Sequence, residues 1–204
     1  MRKKKMLKYF WLYYNYFLVK WGFRKVLPAY FINRIEVADC GEELVQYQNV
    51  RVRKRVAVML ENAQRALPPH FELKIESGFR SDTAQGILQW KYSDPAMLSC
   101  ESGHSTGGAV DVSLCYCGKI ADCGCRYRSF TPATPTWSKE LNKLQQRYRS
   151  ILFNAMTQAG FVNNPAEWWH YSFGDKMYSA YKFEKRCFYG KWHIPCQPDL
   201  FAIE

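Results

Sequence analysis

Apolar and polar residues alternate with a period of two in Phe71-Glu-Leu-Lys-Ile-Glu76 and again from Ala109 to Leu114, where Ala109, Val110, Val112 and Leu114 surround Asp111. That period predicts two strands. Elsewhere the repeat is helical. Val52, Val56, Val58, Met59, Ala63 and Ala66 recur near a helical spacing with Arg and Lys between them, which predicts a helix over Val50 to Leu67, ended by Pro68-Pro69. Thr83 to Tyr92 also reads as helix. The longest helical pattern is Ser138 to Gly160, with Ser138 as cap, Glu140 in the first turn and Gly160 as the stop. Glu167 to Phe173 is aromatic-rich and suits a strand. Cys100 to Thr106 reads as a polar loop around Gly103, and the Cys- and Gly-rich stretch to Gly124 as another. Strands and helices mix without regular alternation and without internal repeats. The pattern therefore predicts a single α+β domain rather than a doubly wound sheet.

The start of the chain departs from this pattern. Arg2, Lys3, Lys4, Lys5 and Lys8 precede an apolar, tyrosine-rich run from Tyr9 to Val19, and Lys20, Arg24 and Lys25 follow it. Residues 1–35 are read as a basic aromatic extension and 36–204 as the domain. Three readings fit the extension: an export signal without an A-x-A cleavage site, an interfacial anchor touching a membrane surface through residues 1–25, or an amphipathic helix docked on the domain. The first two place the protein at the cell envelope or in the periplasm. A formal net charge of +11 favours anionic partners, and a basic protein without such a partner fits it as well. Nucleic-acid binding would rest on charge alone and is not expected. With 48% hydrophobic and 17% aromatic residues, the chain has ample material for a packed core.

The chemistry concentrates in two short segments. Ser102-Gly-His104-Ser-Thr-Gly-Gly-Ala-Val-Asp111 sets a histidine and an aspartate seven residues apart across a glycine-containing turn into a strand. Glu167-Trp168-Trp169-His170 adds a second carboxylate–imidazole pair. Catalytic zinc takes three protein ligands and keeps one position for water, and a carboxylate off the metal then serves as base. His104, Asp111 and His170 can fill the three places and leave Glu167 for the fourth role. A lone histidine is more often structural, but a carboxylate inside an apolar strand needs a cation or donors. His70 and His193 read as surface residues, and Trp168 and Trp169 as packing around the site.

Ser102-x-His104-x-x-Gly107-x-Ala109-x-Asp111 followed by Glu167-x-Trp169-His170 resembles the D-alanyl-D-alanine dipeptidase family, part of a wider group of zinc enzymes that includes D,D-carboxypeptidases and the hedgehog amino-terminal domain. The resemblance extends upstream to VRKRVAVMLENAQRALP, to Leu73 through Arg80, and to Gln85, and covers roughly residues 40 to 180. It implies an α+β fold whose mainly antiparallel sheet carries the zinc site, and hydrolysis of D-Ala-D-Ala, a peptidoglycan building block. It implies His104, Asp111 and His170 as ligands of one catalytic Zn2+, Glu167 as general acid/base, Arg80 as the group that stabilises the developing oxyanion, and Ser102 beside the substrate. The alternatives are a D,D-carboxypeptidase acting on longer muropeptides and a zinc-binding interaction module without turnover. The complete set with Arg80 and Glu167 speaks against the last.

Two features depart from the family. Its members carry a Phe-Asp pair near Tyr127-Arg128, and that Asp meets the free amino group of the dipeptide. Here Arg128 stands at the Asp position. Either Arg128 shifts preference to substrates with a blocked or acidic amino end, or the loop is displaced, Arg128 faces solvent and another carboxylate such as Asp122 serves the ammonium. The second departure is Cys115, Cys117, Cys123 and Cys125, a C-x-C-x5-C-x-C array that suits a second, structural zinc, two disulfides, or free thiols.

Overall fold

The computed structural model describes residue 32 and residues 35–92 and 102–192. The predicted extension, apart from Ile32 and Ile35, lies outside the described residues, as do Cys100, His193 and Cys196. The elements in chain order are β1 (Glu36–Val37), β2 (Leu44–Tyr47), β3 (Val50–Arg53), α1 (Lys54–Ala66), β4 (Phe71–Ser77), α2 (Asp82–Tyr92), a 3-10 turn (Gly103–Thr106), β5 (Ala109–Tyr116), β6 (Lys119–Ile120), α3 (Lys143–Gln158), β7 (Val162–Asn163), β8 (His170–Ser172), α4 (Lys176–Lys182) and β9 (Arg186–Cys187).

The main sheet runs β4-β5-β8-β7, with β6 also paired to β5, and every pairing in it is antiparallel. β2 and β3 form a separate antiparallel hairpin, and β1 pairs with β9 in parallel. The fold is α+β, as the sequence pattern predicts, and its main sheet is antiparallel, as the family resemblance implies. Among the described residues no helix is long and apolar enough to cross a membrane.

Strand periodicity separates core from site. Leu73 and Ile75 on β4 stand opposite Leu114 and Val112 on β5 and join one apolar cluster with Val110. Val56, Met59, Leu60 and Ala63 of α1, and Leu152 and Met156 of α3, close over that cluster. Burying each large aliphatic side chain there stabilises the fold by up to about 1.5–3 kcal/mol. Asp111 lies between Val110 and Val112, so the pleat turns it to the opposite face. The cost of burying that carboxylate, 2% exposed, falls on whatever surrounds it.

Boundaries differ from the sequence expectation at several places, and β6 (Lys119–Ile120) lies inside the stretch expected to be a Cys- and Gly-rich loop. Val50–Arg53 is strand, not helix: Val-Arg-Val-Arg also alternates, and the hairpin with β2 uses that alternation. The helix starts at Lys54, where Arg53 offers no side-chain cap, and Glu42 Oε1 accepts from Arg55 N at 2.6 Å in its place. The long helix starts at Lys143, not near Ser138. Asn142 and Gln145 form a reciprocal capping box, while the Ser138 hydroxyl accepts from Glu140 N in a separate turn. Asn142→Ala is expected to lower stability by about 1 kcal/mol, measured by urea unfolding. Only His170–Ser172 of the aromatic segment is strand; Glu167 to Trp169 form a turn closed by His170 N donating to Glu167 O at 3.1 Å.

Candidate metal centre

The 3-10 turn is held at both ends. Ser102 Oγ accepts from His104 N at 3.3 Å, and Gly107 closes the turn at φ 73°, a left-handed conformation that glycine adopts without penalty. Arg53, fully buried, donates from Nε to Thr106 O at 2.6 Å and from its terminal nitrogens to Glu42 O and Gly190 O. Its guanidinium lies over the rings of Tyr189 and Trp192, each centroid 4.8 Å away. These bonds deliver His104 to the face of the sheet that carries Asp111.

His104 Nδ1 lies 2.8 Å from Gly78 O. A carbonyl only accepts, so Nδ1 carries the proton and Nε2 is free to face Asp111 Oδ1 at 3.2 Å. Gly78 itself sits against Arg51 O, where a Cβ would be 2.5 Å away, so a side chain there would displace the carbonyl that orients His104. His170 comes from β8, whose register with β5 sets it directly opposite Asp111. Its Nδ1 is 3.0 Å from Asp111 Oδ1, and the two imidazoles meet edge to face at 5.0 Å. The other carboxylate oxygen, Oδ2, accepts from Tyr127 OH at 3.0 Å and from Arg80 Nη2 at 3.4 Å. One oxygen thus faces the two imidazoles while the other is anchored.

The electrostatics follow from burial. Burial pushes His104 down to about 4, against the pull of Asp111, so its ring is neutral at neutral pH. Burial would raise Asp111, but the His170 imidazole beside it holds it well below the usual carboxylate range. Burial would lower His170, yet Asp111 and Glu167 raise it. Burial lifts Glu167, with Asp111 adding and His170 and Arg80 opposing. Burial likewise raises Tyr127, keeping it a donor.

Candidate ligand atoms of His104, Asp111 and His170 all lie within 4.8 Å of one another, and among the described residues this is the group that converges so. The fit to a cation is chemical as well as geometric. A neutral Nε2 facing a carboxylate oxygen sets two acceptors 3.2 Å apart, and a shared cation removes that conflict. Glu167 stands beside this trio, with Oε2 3.7 Å from His170 Nδ1 and its side chain 23% exposed. Arg80 donates from Nη1 to Gln85 Oε1 at 3.0 Å as well as to Asp111.

The substrate candidates separate. Arg128, at φ 59°, is half-buried with its guanidinium 4.7 Å from the Tyr127 ring, and its charge bears on Arg80, whose pKa burial first lowers. Asp122 is engaged elsewhere, accepting from Gly124 N at 2.9 Å and from Gln145 Nε2 at 2.9 Å near the start of α3. Ser102 serves as the cap of the turn and lines a cavity of about 360 Å³ with Gly103, Asp175, Met177 and Lys191. His104, Asp111 and His170 do not line that cavity. Trp168 and Trp169 are buried; Trp169 packs edge to face on Tyr127 and Phe130. His70 is exposed, away from the trio.

The cysteine array stands as free thiols, with no four-thiolate cluster among the described residues. Cys115, Cys117, Cys123 and Cys125 are free, and no metal-holding group among the described residues includes them. The β5–β6 hairpin carries the first pair. Arg149, buried under Trp168, draws the second pair inward, donating to Cys123 O at 2.7 Å and approaching Cys125 Sγ at 3.9 Å. Burial raises the Cys123 thiol to about 12, so it stays protonated in this packing.

Sequence reasoning missed Tyr127 as an anchor of Asp111, the buried Arg53 and Arg149, and the pair Ser172 and Asp175 behind His170. Ser172 had one readable signal: it sits two residues after His170 on a strand, hence on the same face.

A model of the D-ala-D-ala dipeptidase family matches residues 40–188. The chain is similar to the D-alanyl-D-alanine dipeptidase of Synechocystis sp., 33% identical over 96 residues that make up 41% of this chain and 38% of that protein. It is also similar to the D-alanyl-D-alanine dipeptidase of Escherichia coli (strain K12), 31% identical over 104 residues, 49% of this chain and 54% of that protein. The matched segments therefore span about half of those relatives or less. Among solved structures, a mutant of the vancomycin-resistance D,D-pentapeptidase VanY in complex with Zn(II) aligns with a TM-score of 0.41 and 18% identity, covering 75% of this chain and 90% of that one.

Proposed function

The chain belongs to the D-Ala-D-Ala dipeptidase family, and from that premise we propose that it is a zinc-dependent peptidase hydrolysing D-alanyl-D-alanine or a related cell-wall peptide. The observation that carries the reading is the convergence of His104, Asp111 and His170 with Glu167 beside them but outside the trio. Two imidazole nitrogens and one carboxylate oxygen suit zinc with a position left open. Bound there, zinc supplies a Lewis acid that polarises the scissile carbonyl and lowers the pKa of water.

The chain's own groups do the rest. Glu167, lifted by burial, takes the proton of the attacking water and returns it to the leaving amine. Arg80 offers fixed positive charge to the oxygen on which negative charge grows, and its bonds to Gln85 and Asp111 fix it before the reaction. Tyr127 and Arg80 together hold Asp111 Oδ2, so Oδ1 stays directed at the trio's centre. Mass spectrometry of the purified protein with D-Ala-D-Ala, a muropeptide mixture and L-Ala-L-Ala tests the reading. Release of D-Ala from the first or second is expected, and no cleavage of either would overturn it.

Arg128 supports a narrower second reading, a D,D-carboxypeptidase acting on longer muropeptides. Its guanidinium, half-buried on Tyr127 close to Arg80, repels a free ammonium and pairs with a carboxylate. Charges about 4 Å apart near a protein surface interact by about 4 kcal/mol before screening. Arg128→Asp is therefore expected to shift the kcat/KM ratio of D-Ala-D-Ala over its N-acetylated form by about tenfold or more towards the free dipeptide. An unchanged ratio would remove Arg128 from substrate recognition.

A further inference from the structure

We infer that Ser172 and Asp175 form a hydrogen-bonded relay that sets the ring form and orientation of His170, as positioning residues of the metal centre; the inference rests on the metal reading above. Asp175 is 1% exposed and its two oxygens are divided. Oδ1 accepts from Tyr178 N at 2.8 Å and caps α4. Oδ2 accepts from Ser172 Oγ at 2.8 Å. The carboxylate gives no proton, so the Ser172 hydroxyl is the donor. Its oxygen then offers a lone pair on the far side, where His170 Nε2 stands 3.4 Å away. When the site holds its cation on the Nδ1 side, an acceptor at that place selects the ring with its proton on Nε2. The lone pair is left on Nδ1, the nitrogen that faces Asp111 Oδ1 at 3.0 Å.

Capping α4 uses backbone bonds from Tyr178 and Met177, and the bond from the Ser172 hydroxyl is additional to them. Asp175 is not placed by β8 alone. The turn carrying His104 packs on the same carboxylate, and a Cβ at Gly103 would overlap Oδ2. Asp175 is therefore wedged between the segments that carry the two imidazoles. Partners of this kind on a ligating histidine fix its ring form and sharpen its geometry, and their loss typically weakens metal binding about 10- to 100-fold.

The test measures zinc affinity of the full chain by competition with a chelator of known affinity, together with the unfolding midpoint of the zinc-free protein. Wild type is expected to bind one zinc, and Ser172→Ala and Asp175→Asn to weaken it about 10- to 100-fold. Asp175→Asn keeps a capping oxygen for Tyr178, so α4 is retained. Its amide NH2 turns towards Ser172, however, and reverses the hydroxyl against His170 Nε2. Should Ser172→Ala fail to fold, Asp175→Asn decides. In the zinc-loaded wild type, NMR tuned to imidazole nitrogens is expected to show a slowly exchanging Nε2–H on His170; it is lost in both variants and retained in Ser172→Thr, which keeps the hydroxyl. Wild-type affinity in both variants with the His170 signal unchanged overturns the relay and leaves the metal reading standing. A wild type that binds no zinc overturns both.

Discussion

Glu167→Ala is expected to keep its zinc and lose turnover by about 100- to 10,000-fold, the usual contribution of a positioned general base. The geometry separates the two properties. Glu167 is not one of the three residues whose ligand atoms converge, and its Oε2 stands 3.7 Å from His170 Nδ1. Its backbone is held independently of its carboxylate: Glu167 N donates to Asn164 O at 3.0 Å and His170 N donates to Glu167 O at 3.1 Å. Removing the side chain therefore leaves the backbone bonds of the turn and of β8 in place and takes away the acid/base group with its bond to the Asn164 side chain. Metal content by elemental analysis and kcat/KM on D-Ala-D-Ala check the two halves. Turnover near wild type would pass the proton-transfer role to another group, and loss of zinc would make Glu167 a ligand. Arg80→Ala is expected to lose turnover likewise, because its charge acts on the transition state, and to keep its zinc because Tyr127 OH still holds Asp111 Oδ2 at 3.0 Å.

His104→Ala is expected to lose zinc and turnover together, and His170→Ala likewise. The ring of His104 is 2% exposed, its Nδ1 bonded to Gly78 O and its Nε2 directed at Asp111 Oδ1. Truncation leaves one imidazole and one carboxylate, and the remaining nearby carboxylate, Glu167, would have to leave its own place to complete the set. Zinc content after dialysis is expected to fall from about one equivalent to near zero. A second readout is stability. A ligand at about 1,000 times its Kd stabilises the folded state by about 4 kcal/mol, so chelation should lower the unfolding midpoint of wild type and leave that of His104→Ala unmoved. The same measurement on a variant lacking Cys115, Cys117, Cys123 and Cys125 is expected to retain one equivalent. Unchanged zinc in both histidine variants would refute the assignment.

Much of the frame was legible in the chain. The alternation at Phe71 to Glu76 and at Ala109 to Leu114 is the imprint of strands that turn one face to the apolar core, and β4 and β5 form where it occurs. Asp111 stood out because a carboxylate between Val110 and Val112 makes sense only with charge or donors around it. The helix boundaries were less legible. Val50–Arg53 carries both a helical and a strand-like spacing, and pairing with β2 decides between them. Asn142, not Ser138, caps α3, since only Asn142 has Gln145 placed to answer it.

The sequence by itself determined which residue types are available and their local spacing: a histidine seven residues before an aspartate, and a glutamate three before a histidine. Local backbone geometry turns those spacings into a turn feeding a strand and a turn preceding one. Only the tertiary structure decided that the two segments meet. His170 and Asp111 are 59 residues apart in the chain and become neighbours through the register of β8 on β5. The orientation of His104 depends on a carbonyl 26 residues away, and the anchoring of Asp111 on Tyr127 and Arg80. The cysteines show the converse. Their spacing invited pairing or a metal, but Arg149 and the β5–β6 hairpin fix where the thiols lie. Spacing along a chain constrains only neighbours within a turn or two, whereas a site is built from long-range contacts that the packed core and the sheet register select.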